Sequence, residues 1–321
     1  MVNTKRSMFS IAHLNPNIQG ILFLVTGMFV FSFQNIAIKS ISDSYALLEI
    51  VVIRSLSALP CALLLYRYEG GRGLPKTSRL MEEFIRGFLL FLSYNAFYMG
   101  VASLPLADAA AIRFSSPLFL TFFSVVILGE IVGLRRWIAL MAGFTGVLLI
   151  VQPGSANFNI GTLFVLVATV LYTLSAIMTR RLKTTESSAT MTYYGTLVYL
   201  CSGLILSPVV LSIGEMPDAH PSMAFLLRAW TIPTPIDMSI IIALGLIWST
   251  GVYCVARAYS LALASVAAPF EYTTLPINIM WGYLLWQEIP TWSTWIGSLL
   301  TVATGIYILY RERMKKEQSP T

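Results

Sequence analysis

Arg113 and Glu271 each stand in the middle of a long apolar segment, and the two segments hold matching places in the two halves of the chain. A charge at mid-membrane depth costs roughly 3 kcal/mol even on a lenient insertion scale. A partner, a water-filled cavity or a charged solute must offset that cost. Two chemistries follow. In one, both residues line a central cavity, where Arg113 attracts an anionic group and Glu271 (with Tyr272 beside it) a cationic group or a proton. In the other, they form an ion pair that holds the halves together. Pro117 and Pro276 follow within one to two turns, beside Ser115-Ser116 and Thr273-Thr274. A proline inside a helix removes a hydrogen bond and frees a carbonyl, and freed carbonyls beside hydroxyls can bind a solute within the membrane. As plain packing kinks, the same prolines suit the second reading.

Other polar residues interrupt apolar stretches. Arg54 has Glu49 five residues earlier, a spacing that does not make a same-face pair, so each needs another partner; Glu49 is placed near the interface. Arg54 either lines the cavity or satisfies carbonyls at a helix end. Arg257 has Trp248, Tyr253 and Tyr259 nearby, and the corresponding earlier stretch carries Tyr94, Asn95 and Tyr98. Such aromatics can cage a flat ring or a cation, or act as interface anchors. Gln34 and Asn35 are either cavity residues or interhelical glue. Asp108 complements a helix dipole. The two histidines, His13 and His220, lie apart, so neither a metal site nor a cofactor is expected.

These residues need elements to hold them. The chain of 321 residues is 56% hydrophobic and 11% charged, against about 25% charged for a soluble domain. It reads as a polytopic membrane protein. Cys61, Cys201 and Cys254 fall in apolar stretches and read as small core residues. The Lys5-Arg6 arm leads into a full-length span without a cleavage site, so no signal peptide is expected. Segments of roughly 20 apolar residues occur at 18–38, 45–66, 84–104, 106–128, 135–152, 160–179, 190–212, 237–260, 263–286 and 292–310. With the N-terminus inside, sixteen of the 21 Lys and Arg residues fall on the cytoplasmic side, Arg86 among them. Lys39 and Arg228 fall on the other, and three arginines lie within spans. That bias predicts an even number of spans with both termini cytoplasmic. It also explains the net charge of +6 without nucleic acid.

The chain repeats itself. Gly20-Ile21-Leu22-Phe23 returns as Gly161-Thr162-Leu163-Phe164, and Ser103-Leu104-Pro105-Leu106-Ala107 as Ser260-Leu261-Ala262-Leu263-Ala264. Gly129-Glu130 and Gln287-Glu288 each precede a tryptophan, Trp137 and Trp295, at the same interval. The expected fold is an all-α membrane protein of ten transmembrane helices in two inverted five-helix repeats, 18–152 and 160–310. A cytoplasmic arm (1–17) and a basic tail (311–321) flank them. An odd number of spans per repeat forces opposite orientations, an organisation typical of transporters.

These features resemble the drug/metabolite transporter superfamily, in its ten-helix EamA-type members. The resemblance is carried by Gly129-Glu130 and Gln287-Glu288, by the small-residue fifth span (Ala139, Gly143, Gly146) and tenth span (Gly297, Gly305), and by Arg54. Gln287 departs from the glycine usual at its place. Phe31 to Asn35, continuing through Glu49 and Arg54, is similar to members linked to uptake of riboflavin or S-adenosylmethionine. The resemblance implies a secondary transporter of a small polar organic metabolite in a bacterial inner membrane, with exporters of drugs or toxic metabolites as the alternative. Glu130 and Glu288 are read as helix-end or gating elements. No P-loop is present, so a proton gradient or simple exchange is the expected drive, with Glu271 as the titratable residue. Three intramembrane arginines favour an anionic or zwitterionic solute. An enzyme would need a nucleophile–base set or paired acids near one membrane face, and neither is seen. A receptor or scaffold would normally add a soluble domain, and the longest loop, 213–236, is too short for one. Membrane lipid is the other partner expected; oligomeric state is left open.

Overall fold

The computed structural model describes residues 16–128, 134–152, 159–182, 185–216, 218–261 and 268–317. No strand occurs among them. In the first half, α1 (Pro16–Ile41), α2 (Leu47–Tyr68) and α3 (Leu80–Val101) are followed by α4 (Leu106–Arg113), α5 (Ser116–Leu128) and α6 (Leu134–Val151). The second half contains α7 (Ile160–Leu182), α8 (Ser188–Ile213), α9 (Pro221–Leu227) and α10 (Pro235–Leu261). A 3-10 turn (Ala268–Thr273) then leads into α11 (Thr274–Trp286) and α12 (Trp292–Glu317). Six of these helices, α1, α2, α3, α7, α8 and α10, contain stretches long and apolar enough to cross a membrane. Leu64, Leu148, Ile205 and Leu299 are each more than half exposed. A soluble protein does not present such a surface, whereas lipid solvates it. The chain is a multi-pass membrane protein.

Local sequence explains the helix ends. Ser187 accepts the Thr190 amide at 3.1 Å, and Asn159 caps α7 by accepting the Gly161 amide at 2.7 Å. Asn159 also donates to Ser103 O at 2.9 Å, which ties the start of α7 to the α3–α4 hairpin. The 213–236 segment, read as a loop, contains α9, opened by Pro221 at its first position, where a missing N–H costs nothing. The basic run from Arg311 to Lys316 is helical and continues α12.

Most of the extensive packing joins one half to the other. The α3 helix lies on α7, α1 on α10, α2 on both α8 and α10, and α6 on α12. Two crossings depend on glycine. A Cβ on Gly146 would lie 2.8 Å from Gly297 O, and one on Gly297 would lie 2.5 Å from Gly146 O, so α6 and α12 touch backbone to backbone. A Cβ on Gly245 would lie 2.6 Å from Arg54 O, so α10 is drawn equally close to α2.

Candidate functional site

The α2–α10 crossing builds the first part of the site. Trp248 stands three residues beyond Gly245, nearly one helical turn, and so reaches the Arg54 side chain. The guanidinium carbon of Arg54 lies 4.5 Å from the Trp248 ring centre, 4.1 Å from Tyr94 on α3 and 5.2 Å from Tyr199 on α8. Arg54 is 1% exposed. Its Nε, Nη1 and Nη2 have no hydrogen-bond acceptor among the described residues. A desolvated cation–π contact contributes about 2 kcal/mol, but ring faces do not saturate in-plane N–H groups. Tyr199 is fixed by its hydroxyl, which donates to Leu90 O at 2.7 Å.

From Arg54 a polar chain runs across α3. The Tyr94 and Tyr98 rings pack at 4.6 Å between centres, tilted by 56°. The Tyr98 hydroxyl accepts from Gln34 Nε2 at 2.9 Å and donates to Asn35 Oδ1 at 2.8 Å. Asn35 Nδ2 donates in turn to Asn278 Oδ1 on α11, at 3.3 Å. On the other side, Tyr98 packs against Phe97 at 5.1 Å, and the Arg113 guanidinium covers Phe97 at 4.9 Å and Tyr172 at 4.5 Å. Tyr98 lies within electrostatic reach of both Arg54 and Arg113, and Tyr172 within reach of both Arg113 and Glu271.

The two interrupted segments meet here. Helix α4 stops at Arg113 and α5 resumes at Ser116; the second interruption is the 3-10 turn that carries Glu271 and Tyr272. Phe114 and Tyr272 pack edge to face at 5.0 Å, which sets the two breaks side by side. The prolines do not act as mid-helix kinks. Pro117 is the second residue of α5 and Pro276 the third of α11, first-turn places where no helical N–H bond is due. Each opens the helix that follows a break, and the break lies just upstream.

Arg54, Tyr94, Tyr98, Trp248, Gln34 and Asn35 thus form one connected group, with Arg113 joined through Phe97 and Tyr272 through Phe114. Asn95 is buried beside them but turned to its own helix, donating to Phe91 O at 2.7 Å. Arg257 is exposed on α10, about 14 Å along the axis from Trp248. Glu49, in the first turn of α2, is 2% exposed and accepts the Thr231 amide at 3.3 Å. Arg86, counted with the cytoplasmic cations, is 4% exposed and bonded to Glu83 and Met191 O. Glu288 pairs with Lys39 and accepts the Leu106 amide at 3.1 Å, so it locks α1, the α3–α4 hairpin and the end of α11 together. Asp108, in the first turn of α4, accepts from Thr294 Oγ1 at 2.5 Å. Gly129, Glu130, Ala262, Leu263 and Ala264, which carry parts of the repeat and gating readings, lie outside the described residues, as do the 1–15 arm and its His13.

The sequence reading passed over Tyr199, Tyr172, Phe97 and Asn278. The rule that selected Tyr94 and Gln34, a polar side chain inside an apolar span, applies equally to Tyr199, Tyr172 and Asn278. Phe97 carries no such signal.

A helical membrane protein whose buried polar network joins its two halves beside two interrupted helices has the form of a solute carrier. The sequence profile of the EamA-like transporter family matches residues 18–152 and again residues 159–311. The chain belongs to the EamA-like transporter family. It is 26% identical to an S-adenosylmethionine uptake transporter of Rickettsia conorii over 243 residues, 76% of each chain. It is 25% identical to a riboflavin transporter of Vibrio cholerae over 304 residues, 94% of this chain and 96% of that one. A pseudopaline exporter of Pseudomonas aeruginosa is 27% identical over 292 residues, 89% of this chain and 94% of that one. A solved crystal structure superposes with a TM-score of 0.60 over 91% of this chain and 98% of that one, at 14% identity, a likeness of fold.

Proposed function

We propose that the chain is a secondary transporter that carries a small polar organic metabolite across a bacterial inner membrane by alternating access. In this reading ten spans form two inverted five-helix repeats, 18–152 and 160–310, with the 1–17 arm, the 311–321 segment and both termini cytoplasmic. The packing supports the repeats, because it is exchanged symmetrically: α3 on α7 has its counterpart in α1 on α10, and α2 on α10 in α8 on α3. An S-adenosylmethionine-like cofactor, an amino-acid-like metabolite or a vitamin such as riboflavin suits a site of arginine, amide and aromatic groups. The observation that carries the reading is the polar chain from Arg54 through Tyr98 to Asn278, which joins α2, α3, α1 and α11 across the halves.

Glu271 supplies the proton step in this reading, since it sits at the second helix interruption within electrostatic reach of Tyr172. Replacing Glu271 by Gln is expected to abolish uptake into proteoliposomes or remove its dependence on a pH gradient. Wild-type uptake with an unchanged gradient response in that variant rules the role out.

Export is the second reading, favoured by the match to the pseudopaline exporter over nearly the whole chain. Right-side-out and inverted vesicles, each energised and given the same solute from outside, separate the two. Net accumulation in right-side-out vesicles alone supports uptake, and net accumulation in inverted vesicles alone supports export.

A further inference from the structure

Among the described residues two arginines, Arg54 and Arg86, are buried, and they are held differently. Arg86, 4% exposed, brings its own acceptors, the Glu83 carboxylate and Met191 O. Arg54, 1% exposed, has neither. The ion pairs Lys39–Glu288, Arg79–Glu82 and Arg86–Glu83 do not include Arg54. The acid nearest to it on its own helix, Glu49, is engaged with the Thr231 amide. Three aromatic side chains surround the guanidinium, and its N–H groups find no oxygen among the described residues. Among the same residues the hydroxyl of Tyr94, whose ring lies on Arg54, also lacks a partner, as does Gln34 Oε1, one hydrogen bond away through Tyr98. Buried polar groups in native proteins are almost always paired, and an arginine that serves only the fold pairs as Arg86 does.

We infer that Arg54 is the dock for an oxyanion of the transported solute, a carboxylate or a phosphate. The guanidinium fork matches two oxygens of such a group. The aromatic cage holds the guanidinium in place and keeps water from competing. Tyr94 OH is available as a further donor, and Gln34 Oε1 as an acceptor for an amino or hydroxyl group of the same solute. The inference rests on the transporter reading above and assigns the chemical class that reading leaves open.

Arg54→Met tests it, because methionine removes the charge and the N–H groups while keeping an unbranched side chain against the rings. A dock that carries an uncompensated cation makes the unliganded variant melt several degrees higher than wild type in detergent. Inorganic phosphate then raises the wild-type Tm and leaves that of Arg54→Met unchanged. In proteoliposomes, two matched pairs read the same property: S-adenosylmethionine against its decarboxylated form, and riboflavin 5′-phosphate against riboflavin. Wild type is expected to favour the oxyanion member of a pair by tenfold or more, and Arg54→Met to treat the two alike. A lower Tm for Arg54→Met, together with a phosphate response or a pair preference it retains, overturns the inference and makes Arg54 a structural cation. Failure of the transporter reading looks different. No member of either pair then moves through wild type, while the Tm shift and the phosphate response still decide the role of Arg54.

Discussion

Gln287 closes α11 in the left-handed region, with φ 57, and its amide bonds back to Tyr283 O at 3.1 Å. Helices that end in this conformation usually use glycine there, since a Cβ crowds the following carbonyl. The resemblance noted in the sequence flags Gln287 as the departure from glycine, and its backbone gives the physical reason glycine is usual. Gln287→Gly is expected to stabilise the protein by about 0.5–1 kcal/mol, read as a rise in Tm in detergent with uptake unchanged. A fall in Tm means that the Gln287 side chain makes a contact worth more than the relief of strain. Residue types were legible in the sequence in this way, whereas partners were not. Arg54 and Glu49 were expected to seek other partners and do, but nothing in the chain order shows that Arg54 meets Tyr94, Tyr199 and Trp248. The same holds for Arg113, whose guanidinium lies on Phe97 and Tyr172. Those meetings are set by where α2, α3, α8 and α10 cross.

At the scale of elements, hydropathy located the segments of α1, α2, α3, α7, α8 and α10, because each is a run about as long as the bilayer is thick. The expected 18–38 and 45–66 became Pro16–Ile41 and Leu47–Tyr68. Hydropathy missed the breaks between α4 and α5 and before α11 because the apolar residues flanking Arg113 and Glu271 keep the average over a span-length window high. Pro117 and Pro276, expected to break their helices, stand in the first turn after each interruption, where serine or threonine ahead of a proline marks a helix start. Of the small residues in the fifth and tenth spans, Gly146 and Gly297 bring α6 and α12 together within one chain. Gly297→Leu forces the two helices apart at a backbone contact. Overpacking of this kind typically costs about 1–3 kcal/mol, so the Tm in detergent is expected to fall by several degrees. The variant should still reach the membrane, since hydrophobicity rises. An unchanged Tm would mean that α6 and α12 do not pack through this crossing in the bilayer.

For the whole molecule, the decisive property is that each half packs mainly on the other. The α3 helix is covered by α7 and α8, α1 by α10, and α6 by α12. A half expressed alone therefore exposes the faces that carry Arg54, Arg86 and the Tyr98 network, and no helix of its own replaces the missing cover. Lipid cannot satisfy those groups, because an unpaired polar side chain in hydrocarbon is costly. The chain cut between Gln152 and Asn159 is expected to give two fragments that are degraded when made singly. Made together in one cell, they should accumulate, co-purify and restore uptake, because the exchanged contacts need no covalent connection. Lys39 and Glu288 give an internal check, since that ion pair joins α1 of the first fragment to the end of α11 in the second. Charge reversal at Lys39 alone is expected to weaken co-purification, and reversal at both positions to restore it. If the first fragment alone accumulates as a stable, protease-resistant monomer, each half has a core of its own. The two halves would then be independent bundles, and a solute site shared between them would lose its basis.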